Sequence, residues 1–250
     1  MKIAIVTGAS SGMGKEFVLQ LTQYAQVDEI WAIARREEAL KALETTVPVR
    51  PIPMDLCDSA SFDRFSAILA AEKPEVSLLV NAAGFGKFGA YHKISMEDDL
   101  RMIDLNCKAL VAMTRLVLPY MGKGSHVLQL DSLSAFQPVP YITTYGATKA
   151  FVLSFSRALN KELEKRKIKM IAVCPGWVRT EFFDRAVKDD TITYYNKFFT
   201  SDEVVRRAVF DMYRGKDVSV CGPTIRAQVL LTKLLPHKLV MNIWCKQQKK

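Results

Sequence analysis

The chain has 250 residues, 49% of them hydrophobic, enough to bury the core of one large α/β domain or two small ones. Its net charge of +9 invites a nucleic-acid reading, but six Lys/Arg and no Asp/Glu lie between Arg226 and Lys250. The body is therefore only mildly basic, and outside that tail its cations do not interleave with aromatics in a stripe, so no nucleic-acid partner is expected.

The five cysteines, at 57, 107, 174, 221 and 245, form no CxxC pair and have no nearby histidine. That argues against disulfides and a metal site, and for reduced thiols in a cytoplasmic setting. MKIAIVTG runs straight into a strand, so no signal peptide is expected, and no apolar run approaches the length of a membrane span.

Residues 2–8, KIAIVTG, are short, β-branched and closed by glycine, the pattern of a buried strand. Gly8, Gly12 and Gly14 follow in TGASSGMG, and Phe17, Val18 and Leu21 then open a helical period. A strand, a glycine turn and a helix N-terminus form an anion site. Backbone N–H groups and the helix dipole face a phosphate, and the missing Cβ atoms let it approach. The spacing is GxxxGxG, not the more general GxGxxG.

A second strand over 28–34, DEIWAIA, ends at Ala34 and is followed by Arg35 and Arg36. Dinucleotide folds that take NAD place an acid about 20 residues past the glycines, whereas those that take NADP need a cation for the 2′-phosphate. The pair of arginines reads as NADP; the alternative is that both simply cap an exposed loop. A short helix over 37–46, a third strand over 49–54 ending at Asp55, a helix over 59–72 and a fourth strand over 77–84, SLLVNAAG, continue the alternation. Such alternation implies right-handed crossovers and a parallel sheet. Asn81 and Gly84 end the fourth strand on the edge where such sheets bind ligands, although Asn81 can equally tie neighbouring strands together.

A long helix is expected over 96–121 with Asn106 in its interior, where asparagine is a modest helix former. After a fifth strand over 125–131 comes a helix over 142–165. It carries Tyr145 and Lys149 four residues apart, on one face. An ammonium beside a phenol favours the phenolate, and a tyrosine tuned that way can exchange a proton with an alcohol or carbonyl oxygen near neutral pH. Ser132, at the end of the apolar run HVLQLDS, can hydrogen-bond the same oxygen. An isolated YxxxK is more often the mark of a solvated helix face.

The sixth strand, IKMIAVCP over 168–175, stops at Pro175–Gly176, with Trp177, Val178 and Thr180 beyond. The aromatic segment 181–200 then offers two readings: a lid over the site, or a helix pair packing its rings inward. A helix over 201–214, started by a Ser201 cap, and a short strand, VSVCG, complete the body. Residues 225–250 are basic and amphipathic, with Trp244. They can lie on an anionic membrane or pack against the body or another subunit.

Taken together, TGASSGMG, NAAG at 81–84, Asn106, Ser132, Tyr145-Gly-Ala-Thr-Lys149 and Pro175-Gly176, in that order, resemble the short-chain dehydrogenase/reductase family from Met1 to about Gly222. The resemblance implies a single doubly wound Rossmann-type α/β domain at 1–222 with a seven-stranded parallel sheet, 223–250 being a basic extension of it. It implies a catalytic tetrad: Tyr145 as acid/base, Ser132 holding the substrate oxygen, Lys149 on the nicotinamide ribose, and Asn106 positioning a water.

The same resemblance places Asp55 beside the adenine, with Leu56 also in the cofactor set, Asn81 near the adenosine ribose and Thr180 at the carboxamide. Arg35 falls on the basic residue of NADP-preferring members. Gly8, Ser10, Ser11, Gly12, Met13, Gly14, Arg36, Ala82, Gly84, Pro175, Gly176 and Val178 fill out the cofactor set with Tyr145 and Lys149. Two departures stand out: Ala82 replaces the second asparagine of NNAG, and Asp131 precedes Ser132 where serine is usual.

The implied activity is NADP(H)-dependent hydride transfer to or from a carbonyl or secondary alcohol. Phe85, Phe136, Trp177 and Phe182 suggest a hydrophobic substrate such as a hydroxysteroid. A 3-oxoacyl reductase and a non-catalytic NADPH-binding regulator are the alternatives. A homodimer or homotetramer is implied, and no metal.

Overall fold

The computed structural model describes residues 1–187, 189 and 191–250; Lys188 and Asp190, within the aromatic segment 181–200, lie outside the described residues. Strands β1 (Lys2–Thr7), β2 (Glu29–Ala34), β3 (Val49–Pro53), β4 (Glu75–Asn81), β5 (His126–Leu130) and β6 (Lys169–Val173) carry the apolar runs. After the short strands β7 (Trp177–Val178) and β8 (Phe198–Phe199) comes β9 (Val218–Ser219). The main sheet has seven strands in the order β3-β2-β1-β4-β5-β6-β9, each pair parallel. The chain works outward from β1 to β3, then crosses to β4 and works outward the other way. The switch between β1 and β4 opens the crevice in which such sheets bind ligands.

Helices cover both faces, which is why the strands are apolar throughout and do not alternate with polar residues. Successive side chains of β1 point to opposite sides. Ala4 and Val6 pack with Phe17, Val18 and Leu21 of helix α1 (Gly12–Tyr24) and with Val205 and Val209 of α8 (Ser201–Tyr213). Ile3 and Ile5 join Phe65 and Leu69 of α3 (Ser59–Glu72) on the other side. Helix ends follow local chemistry: the Asp58 carboxylate accepts from the Ala60 N–H at 3.1 Å to start α3. The cap of α8 is Thr200, not Ser201, and it forms a capping box with Glu203.

Three regions depart from the sequence expectation. Helix α2 is only Glu37–Lys41. The helix expected over 96–121 is built from α4 (Met96–Ile103), a π-helical turn (Asp104–Ala109), α5 (Leu110–Val117) and a short 3₁₀ turn. The aromatic segment forms one helix, α7 (Glu181–Ala186), followed by β8, which pairs with β7; it is not a helix pair. Helix α6 (Thr143–Leu163) carries Tyr145 and Lys149. The basic C-terminal stretch forms α9 (Pro223–Leu234) and α10 (His237–Gln247), broken at Pro236. Among the described residues, no helix is long and apolar enough to cross a membrane.

Candidate active site

A cavity of about 1040 Å³ runs from the glycine turn, past Ser132 and Tyr145, to α10. At its first end the turn after β1 is as tight as its residues permit. Gly8 has φ +68°. A Cβ built on Gly14 would lie 2.2 Å from the Gly8 carbonyl oxygen, so only glycine lets the start of α1 close onto the strand end. This cradle is the shape a dinucleotide phosphate requires at a helix N-terminus.

Arg36 braces the cradle: its Nε donates to Ser10 Oγ at 3.3 Å, and its guanidinium also pairs with Glu181 of α7 at 3.2 Å. Ser11, Gly12, Met13, Arg35, Asp55, Leu56, Ala82 and Gly84 line the same end, and Pro175, Gly176, Val178 and Thr180 line the opposite wall. Asn81 does not reach the cavity. Its amide donates to Thr114 Oγ1 at 3.1 Å and to Gln129 Oε1 at 2.9 Å, tying β4 to α5 and β5. Of its two sequence readings, the strand tie is the one the geometry carries.

In the middle of the cavity Ser132, Tyr145 and Lys149 converge. Ser132 sits two residues past the end of β5; its hydroxyl accepts from the Ser134 N–H at 3.2 Å and bears on Tyr145, favouring its ionisation. Lys149 is buried, and its Nζ donates to the Leu130 carbonyl at 2.8 Å. Asn106 stands behind this group. The π turn brings its side chain to the Phe85 backbone, accepting from the Phe85 N–H at 3.0 Å and donating to the Phe85 carbonyl at 2.9 Å. Its amide also donates to Thr148 Oγ1 at 3.0 Å. The Asn106 side chain therefore locks the loop after β4 onto α6; the geometry that needs it is the widened turn.

The electrostatics differ from the simple pairing expected of YxxxK. Burial is the largest influence on Tyr145 and pushes its hydroxyl above the ordinary phenol range, and the Asp131 carboxylate and Cys174 add to the rise. Burial lowers Lys149 from the usual ammonium range, while Asp131 pulls the other way. Burial thus opposes the shift toward phenolate that the spacing alone suggested. The reason is desolvation, which a sequence does not display.

The far end is aromatic and comes from four separate stretches. Phe88 lies edge-on to Tyr145 at 5.5 Å between ring centroids and to Trp177 at 6.2 Å. Phe182 tilts against Tyr145 at 5.6 Å. The Phe88 N–H donates to the Ala186 carbonyl at 2.9 Å, which fastens the 85–91 loop to the end of α7. The roof of the cavity is therefore α7, bridged at one end to Arg36 and at the other to Phe88.

Helix α10 closes the wall. Trp244 stacks on Trp177 at 6.5 Å, and its Nε1 donates to the Pro140 carbonyl at 2.9 Å. Gln248, just past α10, accepts from the N–H groups of Thr193 and Tyr194 at 2.8 and 3.0 Å.

Phe85, Trp177 and Phe182 line the cavity as expected, but Phe136 does not. Its ring packs on the sheet-side core, with Lys233 Nζ at 5.6 Å. The sequence reading left out α9 and α10, whose Leu231, Leu235, Val240, Ile243 and Trp244 reach the cavity. A signal was present: Val240, Trp244 and Gln248 recur at spacing four, one helical face whose first and last members are buried. Among the described residues, no group of three His, Cys, Asp or Glu side chains is placed to hold a metal ion.

Comparison with known proteins adds three findings. The family description for short chain dehydrogenases matches residues 2–191. The chain is 34% identical over 218 residues to the NADP-dependent 3-hydroxy acid dehydrogenase YdfG of Escherichia coli (strain K12), covering 83% of this chain and 87% of that protein. Among solved structures, a short-chain dehydrogenase from Sphingobium yanoikuyae in complex with NADPH superposes with a TM-score of 0.78 at 29% identity, covering 88% of this chain and 87% of that one. The bulky-bulky ketone specific alcohol dehydrogenase from Comamonas testosteroni gives 0.73 at 25% identity, covering 88% and 86%.

Proposed function

The chain belongs to the short-chain dehydrogenase family, and from that premise we propose that it is an NADP(H)-dependent oxidoreductase acting on bulky, hydrophobic ketones and their secondary alcohols. The observation that carries the reading is the single cavity that joins a phosphate cradle, a Ser132–Tyr145–Lys149 group and an aromatic wall. Gly8, Ser10, Ser11, Gly12 and Gly14 fit the pyrophosphate, and Arg35 and Arg36 are the cations for a 2′-phosphate. The bound dinucleotide supplies the hydride.

This chain's own residues do the rest. Ser132 and Tyr145 hold the carbonyl oxygen between two hydroxyls, and Tyr145, kept protonated by burial, gives it the proton that reduction requires. Lys149 orients the ribose from behind. Asn106 holds the 84–86 backbone that shapes the floor. The aromatic wall also excludes water from the reacting centre.

Tyr145→Phe is expected to lower turnover by about a thousandfold or more, the range of a lost general acid, with NADPH affinity nearly unchanged. Turnover retained by that variant in an NADPH-oxidation assay would sink the assignment. A non-catalytic NADPH-binding regulator would bind the dinucleotide and reduce nothing across a broad ketone panel.

Within hydrophobic substrates, the wall of Trp177, Phe182, Leu235, Val240 and Trp244 suits a rigid ring system such as a hydroxysteroid better than a short hydroxy acid. A long 3-oxoacyl chain is the second reading, because the cavity runs on to α9 and α10. Competing a steroid ketone panel against 3-oxoacyl thioesters separates them.

A homo-oligomer formed through α4 and α6 fits the exposed Leu100, Ile103 and Phe151, and light scattering tests it. The basic helices α9 and α10 leave Leu230, Leu234 and Leu239 exposed, which suits an anionic membrane surface. No sedimentation with phosphatidylglycerol vesicles would end that idea.

A further inference from the structure

One group in the cavity wall has no part in the reading above. Asp131 is buried, with 2% of its surface exposed, directly behind Ser132. Its Oδ1 accepts no hydrogen bond, its Oδ2 receives the weak Sγ–H donor of Cys174 at 3.5 Å, and the Ser132 backbone N–H gives the carboxyl some further relief. A buried carboxylate with so few donors is costly unless an opposite charge offsets it. Lys149 is equally buried and donates to the Leu130 carbonyl, a neutral acceptor, at 2.8 Å. Each of these groups lacks a full set of hydrogen bonds, and the Lys149 ammonium is anchored on the carbonyl of Leu130, the residue next to Asp131 in the chain.

We propose that Asp131 is the counter-ion of Lys149 and a positioning residue for the acid/base centre, setting the pH range over which Tyr145 can exchange its proton. The groups that bear on the pair come from every side. Tyr145 and Lys149 act with it from α6 and Cys174 from just past β6; Cys107 bears on Lys149 from the π turn, and Asp217, ahead of β9, on Cys174. Burial first, opposed by Lys149, pushes the Asp131 carboxyl up to about 8. When ionised, the carboxylate helps Lys149 keep its proton and resists the tyrosinate. Where serine occupies this position, that restraint is missing, so the chain's departure at 131 has a chemical consequence.

The test compares full-length Asp131→Asn with wild type in two ways. The first is the pH profile of ketone reduction and alcohol oxidation with NADP(H). Removing the negative charge is expected to move the Tyr145 limb toward acid. At a pH on the rising limb, oxidation would then increase about tenfold, the effect of a one-unit shift. Asp131→Glu, which restores the charge, is expected to move the limb back.

The second arm needs no substrate and so does not depend on the proposed activity. A carboxyl raised in the folded state contributes stability below its unfolded value near 3.8, and that stability is lost as pH rises through about 8. Wild type is therefore expected to lose thermal stability relative to Asp131→Asn across that window. If Asp131→Asn does not fold, Asp131→Ser gives the same two readouts. An unshifted limb together with parallel stability curves would overturn the proposal. A moved stability curve in a protein inactive on every ketone would leave the counter-ion standing and remove the activity instead.

Discussion

The two ends of the cavity are built by different means. The cofactor end is made mostly by backbone: the Gly8 turn, the first turn of α1, and the strand ends at Ala82–Gly84 and Pro175–Gly176. Its shape follows from which residues lack a side chain and where strands stop. The far end is made by side chains from 85–91, 177–183, 194–196 and the C-terminal helices, brought together by contacts such as Trp177 on Trp244. The first is a local property of short stretches, and the second is a property of the whole chain. One end can therefore hold a common cofactor while the other changes its ligand.

Three changes would break or sharpen that contrast. The largest effect is expected from Gly14→Ala, whose new Cβ would sit 2.2 Å from the Gly8 carbonyl. Overpacking rigid backbone should cost about 3 kcal/mol or more, a fall in thermal midpoint of about 6–12 °C for a chain of this size. Loss of NADPH binding should accompany it, by fluorescence titration. A variant that folds and binds normally would show that the turn is less constrained than its geometry implies.

Trp244→Ala should strike only the other end. Losing the ring that packs on Trp177 should raise KM for a bulky ketone by about 30-fold, the equivalent of about 2 kcal/mol of lost burial. The dissociation constant for NADPH should move by less than about twofold. Equal losses in both constants would mean that the two ends are not separable.

The smallest effect concerns the link between them. Arg36 bridges Ser10 of the cradle and Glu181 of α7, a half-exposed pair of little intrinsic strength. Arg36→Ala should reduce the preference for NADPH over NADH by about tenfold, the value of one charge-assisted hydrogen bond. Glu181→Gln should leave that preference intact. If both variants lose it equally, α7 belongs to the cofactor site rather than to the roof.

Most of the frame was legible in the sequence. Seven apolar runs at crossover spacing gave a parallel sheet, and TGASSGMG, Ser132, Tyr145 and Lys149 fell into one cavity, because a strand end and one helix face are fixed by spacing of two and four residues. The exceptions mark where spacing carries no information. Phe136 looked like a substrate residue by proximity to Ser132, yet the 3₁₀ turn Leu133–Phe136 turns its ring into the core. Asn106 looked like a helix-interior residue, and the π turn made it a brace for Phe85.

Sequence alone therefore determined the alternation that makes a parallel sheet, the glycine cradle and the placement of Tyr145 and Lys149 on one helix face, all of which rest on short-range spacing. Only the tertiary structure decided that α10 closes the cavity wall, that burial pushes the Tyr145 hydroxyl up and that Asp131 is buried with one oxygen unpartnered. Those outcomes depend on burial and on contacts between residues far apart in the chain, such as Pro140 and Trp244, and desolvation is a property of the assembled core.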